Sequence, residues 1–315
     1  MNRLFIWVTG ARGFIGRNLA RALAGRGHEV WGLGHGSWVE AEARDWGITR
    51  WLNADVRATN LQSFARQCKS SPDIVFHVAG GSSVGAAIAG PHEDFDRTVA
   101  ATAELLDWMR LESPATRLFA LSSAAVYGSA QAGPLAEDRV CLPCSPYGFH
   151  KLMAEELCRS YAQSYGIRST TVRLFSVYGS GLKKQLLWDL CTRLSAGPTR
   201  VQLGGTGDEL RDWTDVRDVI RALIFMAESA GGDVSLINAG TQIATTVRSI
   251  AALVLATWPR HAEVTFSGQS RAGDPFSLIA DGRRLDELGF EWNVPVEQGI
   301  GDYVRWFLSQ ATSAP

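Results

Sequence analysis

Long hydrophobic runs, cysteine and an excess of charge of either sign are all scarce in this sequence. Its 315 residues include 31 basic and 32 acidic side chains, which gives a formal net charge of -1. Such a balance produces no overall field to attract nucleic acid or an anionic membrane, so we expect neither as a partner. With 46% hydrophobic residues the chain also has enough apolar content to exclude general disorder.

The hydrophobic runs are too short for a membrane protein. None approaches the ~18 apolar residues that a spanning helix requires. The N-terminal run, residues 4–8, is shorter than the roughly 7–15 residues of a signal-peptide core and stops at Thr9 and Gly10. We therefore expect a cytoplasmic protein.

The five cysteines form an odd and sparse set, which does not indicate a disulfide framework. Cys141 and Cys144 have CxxC spacing, but neither a second pair nor a nearby histidine pair completes a zinc site. We interpret the segment as a loop and predict no metal.

The first part of the chain alternates short apolar runs with amphipathic segments, which predicts an α/β fold: a Rossmann-type, doubly wound parallel sheet. The strand candidates are residues 4–8, 29–33, 74–78, 118–122 and 169–175, and the first helix candidate is 14–24. Beyond residue 175 the pattern changes to helices separated by glycine-rich loops, at 185–195, 216–229 and 246–258. We predict a dinucleotide-binding domain over 1–175 and a smaller C-terminal substrate-binding lobe over 176–315, with 212–240 partly returning to the first domain.

A glycine-rich segment, TGARGFIG at 9–16, lies between the first strand and the first helix. Gly10 permits the tight turn, Gly13 lets backbone approach a pyrophosphate, and Gly16 lets the helix pack on the strand. Amides at the helix N-terminus then face the phosphates. The pattern predicts dinucleotide binding by Gly10, Arg12, Gly13, Phe14, Ile15 and Gly16; the alternative is a structural turn.

The end of the second strand, at Gly34, lacks the carboxylate that would bind the adenosine ribose hydroxyls of NAD. His35, Ser37 and Arg12 could meet a 2′-phosphate instead. We therefore predict a preference for NADP(H), with NAD(H) as the alternative. Further candidate contacts to the cofactor are Asp55 and Val56 at the adenine, and Val78, Ala79 and Gly80 after the fourth strand; His77 is interpreted as a hydrogen-bonded strand-end residue.

Tyr147 and Lys151 are four residues apart, so on a helix they project from one face. A free tyrosine has a pKa near ~10. An ammonium about 4 Å away would favour the phenolate by up to ~4 kcal/mol at an effective dielectric constant of about 20. This spacing predicts a tyrosine whose pKa is lowered for proton exchange with a sugar hydroxyl or carbonyl, although the same spacing is common on ordinary helices.

Taken together, the motifs resemble those of the extended short-chain dehydrogenase/reductases that act on nucleotide sugars as epimerases, dehydratases or reductases. The matching segments are TGARGFIG (9–16), SSAAVYG (122–128), SPYGFHK (145–151), RLFSVYGSG (173–181), RDWTDVRDV (211–219) and RAGDP (271–275). The resemblance implies that Tyr147 is the acid–base, that Lys151 holds the nicotinamide ribose, and that Ser123 hydrogen-bonds the reacting oxygen. It assigns no role to His150.

The chain departs from the family pattern at several positions. Ala124 and Ala125 stand where related dehydratases carry acidic residues, so we do not expect dehydration. Thr98 and Ser176 stand where relatives often carry asparagine. The resemblance implies Ser176, Tyr178, Arg211 and Arg271 as contacts to a nucleoside diphosphate sugar, the arginines through bidentate pairing with phosphate; the alternatives are packing for Tyr178 and solvated surface positions for the arginines.

These observations favour an NADPH-dependent reductase of a 4-keto nucleotide sugar. The alternative is a 4-epimerase of the UDP-glucose type that keeps NAD bound, and a minor alternative is a non-catalytic dinucleotide sensor. A homodimer is also expected from apolar stripes on two helices (Leu105, Leu106 and Met109; Leu152, Met153 and Leu157), unless those stripes face the chain's own sheet.

Overall fold

The computed structural model describes residues 3–68, 70–129, 133–229, 235–269 and 276–312. Its strands are β1 (Phe5–Thr9), β2 (Glu29–Gly34), β3 (Arg50–Asn53), β4 (Ile74–His77), β5 (Arg117–Ser123), β6 (Ser169–Leu174), β7 (Ser176–Tyr178), β8 (Arg200–Leu203), β9 (Leu210–Asp215), β10 (Leu236–Ala239), β11 (Ala244–Thr246), β12 (Glu263–Phe266) and β13 (Ser277–Leu278). Its α-helices are α1 (Phe14–Gly25), α2 (Glu40–Asp45), α3 (Ala58–Ala65), α4 (Val84–Ala89), α5 (Pro91–Phe95), α6 (Ala101–Glu112), α7 (Pro146–Tyr165), α8 (Gln185–Ser195), α9 (Val216–Glu228), α10 (Val247–Thr257), α11 (Arg283–Glu287) and α12 (Val296–Thr312).

The main sheet has seven strands in the order β10-β6-β5-β4-β1-β2-β3. The pairings from β6 through β3 are all parallel. The strand order reverses between β1 and β4, and ligands of open α/β sheets bind beyond the carboxyl ends of the strands at such a point. The sheet and its flanking helices confirm the predicted Rossmann-type fold.

The core on one side of this sheet is built around aromatic side chains. The Trp7 ring lies between Phe64 and Trp108, with centroid distances of 4.9 and 5.0 Å. Leu105 and Met109 of α6 are fully buried in the same cluster. The α6 stripe, which also includes Leu106, therefore packs inside its own chain, as the alternative requires.

The described residues group into two compact units. The first contains residues within 1–128, 137–174 and 220–238, and the second contains residues within 129–136, 175–219 and 239–315. In the second unit β9 pairs with β7, β11 and β13. The buried Asp212 carboxylate of β9 accepts hydrogen bonds from the amides of Thr241, Gln242 and Ala280 and so fixes the loop after β10.

None of the helices in the described ranges combines the length and the apolarity that a membrane span requires.

Candidate active site

The predicted nucleotide-binding loop connects β1 to α1 at the carboxyl edge of the first unit's sheet. Gly10 has φ of +67°, and a Cβ there would lie 2.8 Å from the Ala79 amide nitrogen. The loop therefore touches the chain that follows β4. Gly13 is the N-cap of α1 and supplies no capping side chain, so the first turn presents backbone N–H groups, as an anion-binding helix start requires. These features fit a dinucleotide phosphate.

Beyond β2 and β3, the exposed side chains of His35 and Asp55 are in contact, with 2.9 Å between Nε2 and Oδ1. The Arg12 side chain crosses over Gly36, where an added Cβ would lie 2.3 Å from Nη1. Ser37 is exposed and Val56 is buried. A carboxylate is therefore present at this end of the sheet after all, because Asp55 reaches it from the segment after β3 rather than from the end of β2.

Tyr147 and Lys151 lie one turn apart at the start of α7. Ser145 caps this helix by accepting a hydrogen bond from the Gly148 amide at 3.2 Å, and Pro146 occupies the first turn. The buried Lys151 Nζ donates to the Leu121 carbonyl at 3.0 Å and lies 5.9 Å from the centroid of the Tyr147 ring.

Ser123 lies at the end of β5 and caps the 3-10 turn Ala124–Tyr127, where its Oγ accepts from the Ala125 amide at 3.2 Å. Its side chain also shares a hydrogen bond with Tyr147. The next two residues, Ala124 and Ala125, carry no titratable side chain. Ser123, Tyr147 and Lys151, predicted from separate motifs, therefore come together in one site.

The expected direction of the Tyr147 pKa is wrong. Burial raises the pKa of Tyr147, the hydrogen bond with Ser123 lowers it in part, and the Asp94 carboxylate raises it further. With 5.9 Å between Nζ and the ring centroid, Lys151 does not reverse this effect. Burial also lowers the pKa of Lys151 to about 8.

Behind Lys151 lies a buried hydroxyl–imidazole chain. His77 is within hydrogen-bond distance of Thr9 Oγ1 through Nδ1 (2.8 Å) and of Thr102 Oγ1 through Nε2 (3.1 Å). Burial, followed by the charge of Lys151, lowers the pKa of His77 to about 3, so its ring is neutral. This environment agrees with a hydrogen-bonded strand-end residue. No group of three His, Cys, Asp or Glu side chains within the described ranges could hold a metal ion.

The sequence did not point to a second buried network under the site. Arg173 donates to both Glu155 oxygens and, through Nη1, to the Tyr127 hydroxyl at 2.9 Å. Ser122 donates to Glu155. Cys141 accepts from Arg173 Nη2 at 3.3 Å, so this member of the CxxC pair has a structural contact. Arg173 and Glu155 belong to separate elements, β6 and α7, and no local spacing signals their pairing.

The predicted substrate contacts lie in the second unit. Ser176 is half-buried opposite Trp213, and Arg211 donates to the Leu210 carbonyl at 2.8 Å. Tyr178 is 1% exposed and packs edge-to-face on Trp213, as the packing alternative requires. Arg271 lies outside the described residues. Substrate binding by these four residues remains a prediction.

The chain is similar over most of its length to several known proteins. UDP-glucose 4-epimerase of Mycolicibacterium smegmatis is 29% identical over 313 residues, covering 96% of this chain and 98% of that protein. A structure of MoeE5 in complex with UDP-glucuronic acid and NAD has a TM-score of 0.86 and 29% identity, covering 97% of this chain and 99% of that one. UDP-glucose 4-epimerase of Thermotoga maritima with UDP-glucose has a TM-score of 0.86 and 25% identity, covering 98% and 100%.

The family model described as "NAD dependent epimerase/dehydratase family" matches residues 6–240. This match spans the glycine loop, the Ser–Tyr–Lys site and β9. It confirms the predicted enzyme class, an NAD(P)-dependent extended short-chain dehydrogenase/reductase. The chain belongs to the NAD dependent epimerase/dehydratase family.

Proposed function

We propose that this enzyme interconverts the C4 epimers of a UDP-hexose, using NAD that it regenerates in each cycle. The observation that carries the proposal is the convergence of Ser123, Tyr147 and Lys151 beside a dinucleotide loop, with no acid at 124 or 125. The relatives named above support the epimerase over the 4-keto reductase that the sequence favoured.

The chain's own residues would manage the proton and the sugar oxygen. Gly10, Gly13 and Lys151 would hold NAD, which would supply reversible hydride transfer at C4 of the sugar. In its phenolate form, Tyr147 would take the C4 hydroxyl proton as the hydride leaves C4 and give it back as the alkoxide re-forms, so no proton is gained or lost overall. Ser123 would donate a hydrogen bond to the same oxygen, and the Lys151 ammonium would hold the nicotinamide ribose and stabilise the phenolate.

We propose NAD(H), not NADP(H), as the cofactor. Asp55 places a carboxylate 2.9 Å from His35 at the adenosine end of the loop, and a negative charge there opposes a 2′-phosphate. The MoeE5 structure contains NAD, which supports this choice. Titration of protein fluorescence should give a lower Kd for NADH than for NADPH. Asp55→Asn should narrow that difference, whereas a tighter Kd for NADPH would overturn the assignment.

The decisive experiment is incubation of the purified protein with UDP-glucose, UDP-galactose or UDP-glucuronic acid, without added NADPH. We expect conversion of at least one to a mixture with its C4 epimer, followed by proton NMR of the anomeric signals. Stoichiometric loss of NADPH with a 4-keto-6-deoxy nucleotide sugar, without epimerisation, would establish the reductase instead.

A tyrosine variant pair tests the site. Tyr147→Phe should lower kcat by about 100-fold or more, because it removes the proton-exchanging group. Tyr165→Phe, at the exposed end of the same helix, is the matched control and should retain full activity. Full turnover by Tyr147→Phe would place the chemistry elsewhere.

We also propose a homodimer through an apolar patch on α5 and α7. Phe95, Phe149 and Met153 are 38%, 48% and 45% exposed, and the last two are one turn apart. Large apolar side chains grouped on a surface are typical of an interaction site. Light scattering should give twice the chain mass, and Met153→Glu should shift it toward the monomer. A monomeric wild type at micromolar concentration would contradict the dimer.

A further inference from the structure

His150 and Asp94 form a buried pair beside the Ser–Tyr–Lys site. Their Nδ1 and Oδ2 atoms are 2.6 Å apart, with the side chains 12% and 5% exposed. The Phe95 ring meets the imidazole edge-on at 5.7 Å. A Cβ at Gly81 would lie 1.8 Å from Asp94 Oδ1, so the carboxylate fills the space that any other residue at 81 would need. The pair is therefore built into the loop that follows β4.

The loop that packs against Asp94 also borders Lys151. A Cβ at Gly80 would lie 3.2 Å from Lys151 Nζ, and His150 directly precedes Lys151 on α7. Among the carboxylates that raise the pKa of Lys151 against the effect of burial, Asp94 has the larger influence and Glu155 the smaller. An anion close to a buried ammonium favours its charged form.

The other charged groups around Lys151 are compensated or neutral. Glu155, one turn along α7, shares its charge with Arg173 in a buried ion pair. His77 of β4 is neutral because its pKa is about 3. Arg97, on the turn that follows α5, pairs with the exposed Glu93. Asp94 is thus the carboxylate that bears most directly on Lys151, and His150 is its direct partner.

We propose that Asp94 and His150 are positioning residues that keep Lys151 protonated at working pH, with Asp94 supplying the charge and His150 fixing the carboxylate against the loop after β4. This inference rests on the proposed function, because it assigns the pair to the same site.

The proposal predicts a pH-dependent defect. If Asp94→Asn lowers the pKa of Lys151 from about 8 by about one pH unit, the charged fraction falls by only about a fifth at pH 6.5. It falls by about threefold at pH 7.5 and by about tenfold at pH 9. The basic limb of the kcat profile should move to lower pH by the same interval, with KM for the UDP-sugar unchanged. A purely structural loss would lower kcat equally at every pH.

The matched control is Glu93→Gln, which removes the same charge from the neighbouring, exposed carboxylate and should leave the profile unchanged. Two further variants distinguish the role of His150 from that of the Asp94 charge. His150→Asn keeps a side-chain N–H near the Nδ1 position and should retain the wild-type profile. His150→Leu removes the partner that holds the Asp94 carboxylate in place and should follow Asp94→Asn.

A second measurement reads Lys151 directly, without turnover. The sequence contains four lysines (Lys69, Lys151, Lys183 and Lys184), so 13Cε-lysine NMR gives few signals. The signal that disappears in Lys151→Arg is that of Lys151. Its titration midpoint should fall by about one pH unit in Asp94→Asn and stay in place in Glu93→Gln.

An unchanged midpoint in Asp94→Asn, or a pH-independent loss of kcat, overturns the proposal. If Asp94→Asn does not fold, the His150 pair decides: a shift in His150→Leu restored in His150→Asn supports it, and identical profiles reject it. Failure of the wild type to epimerise any UDP-sugar would overturn the proposed function instead, and the NMR titration would still test the Asp94–Lys151 coupling.

Discussion

The His35–Asp55 and His150–Asp94 pairs join the same two side-chain types in very different surroundings. The first pair is 60% exposed on both sides, and the second is 12% and 5% exposed. Water screens the exposed pair and competes for its hydrogen bonds, so it can give way to an incoming ligand at little cost. Water does not compete for the buried pair, and removal of one side chain leaves the other buried without its partner. Position in the fold, rather than residue type, therefore decides whether such a pair exchanges or stays fixed.

The largest effect that separates the two pairs is on stability. His150→Ala should lower the free energy of unfolding by about 3 kcal/mol, because it leaves the Asp94 carboxylate buried without its partner. His35→Ala should change it by less than about 0.5 kcal/mol. Urea denaturation followed by tryptophan fluorescence measures both, and equal losses would remove the distinction drawn here.

His77 sharpens the comparison as a buried histidine that contacts hydroxyls instead of a carboxylate. Its pKa of about 3 in the folded chain lies below the ordinary 6.5, so the unfolded state binds the extra proton. This contribution to stability is complete above pH 6.5 and is lost as pH falls toward 3. Between pH 7 and pH 5 the loss from this group is about 2 kcal/mol.

The measurement compares the free energy of unfolding of wild type and His77→Gln at pH 7 and pH 5. The variant should be less stable at pH 7, and the gap should narrow by about 2 kcal/mol at pH 5. A gap that does not depend on pH would mean that His77 is not held neutral.

The smallest expected effect concerns salt. At pH 5.5, a double-mutant cycle on His35 and Asp55 should give a coupling of up to about 0.5 kcal/mol that disappears in 1 M NaCl, where the screening length is about 3 Å. The same cycle on His150 and Asp94 should keep its coupling. Salt sensitivity of the buried pair would show that solvent reaches it.

Much of the fold could be predicted because its signals are local. The sequence pattern predicts a helix over residues 185–195, and α8 has those same bounds. The first strand was displaced by one residue, since Thr9 continues the β-bridge pattern that an apolar run alone does not show. The glycine loop and the Tyr147–Lys151 spacing are equally local, and each lies on the predicted element.

The remaining features of the site depend on contacts between distant segments. Asp94 and His150 are 56 residues apart, and nothing within either helix indicates that they meet. The pKa of Tyr147 was predicted in the wrong direction because spacing supplies the lysine but not the burial. Asp55 was predicted as an adenine contact, but its place beside His35 could not be predicted, because only the lateral order of the sheet brings the end of β3 beside the end of β2.

The π-helical turn Asp96–Ala100 joins α5 to α6 and separates Asp94 from the core-facing Leu105 and Met109. Such a turn carries one residue more than an α-helical path, which advances everything after it by about 100° around the axis. Deleting a single residue there would return the two helices to one continuous phase. Either the leucine and methionine would rotate out of the core, or the carboxylate would swing away from His150. The turn thus allows α5 to direct Asp94 toward His150 while α6 directs Leu105 and Met109 into the core.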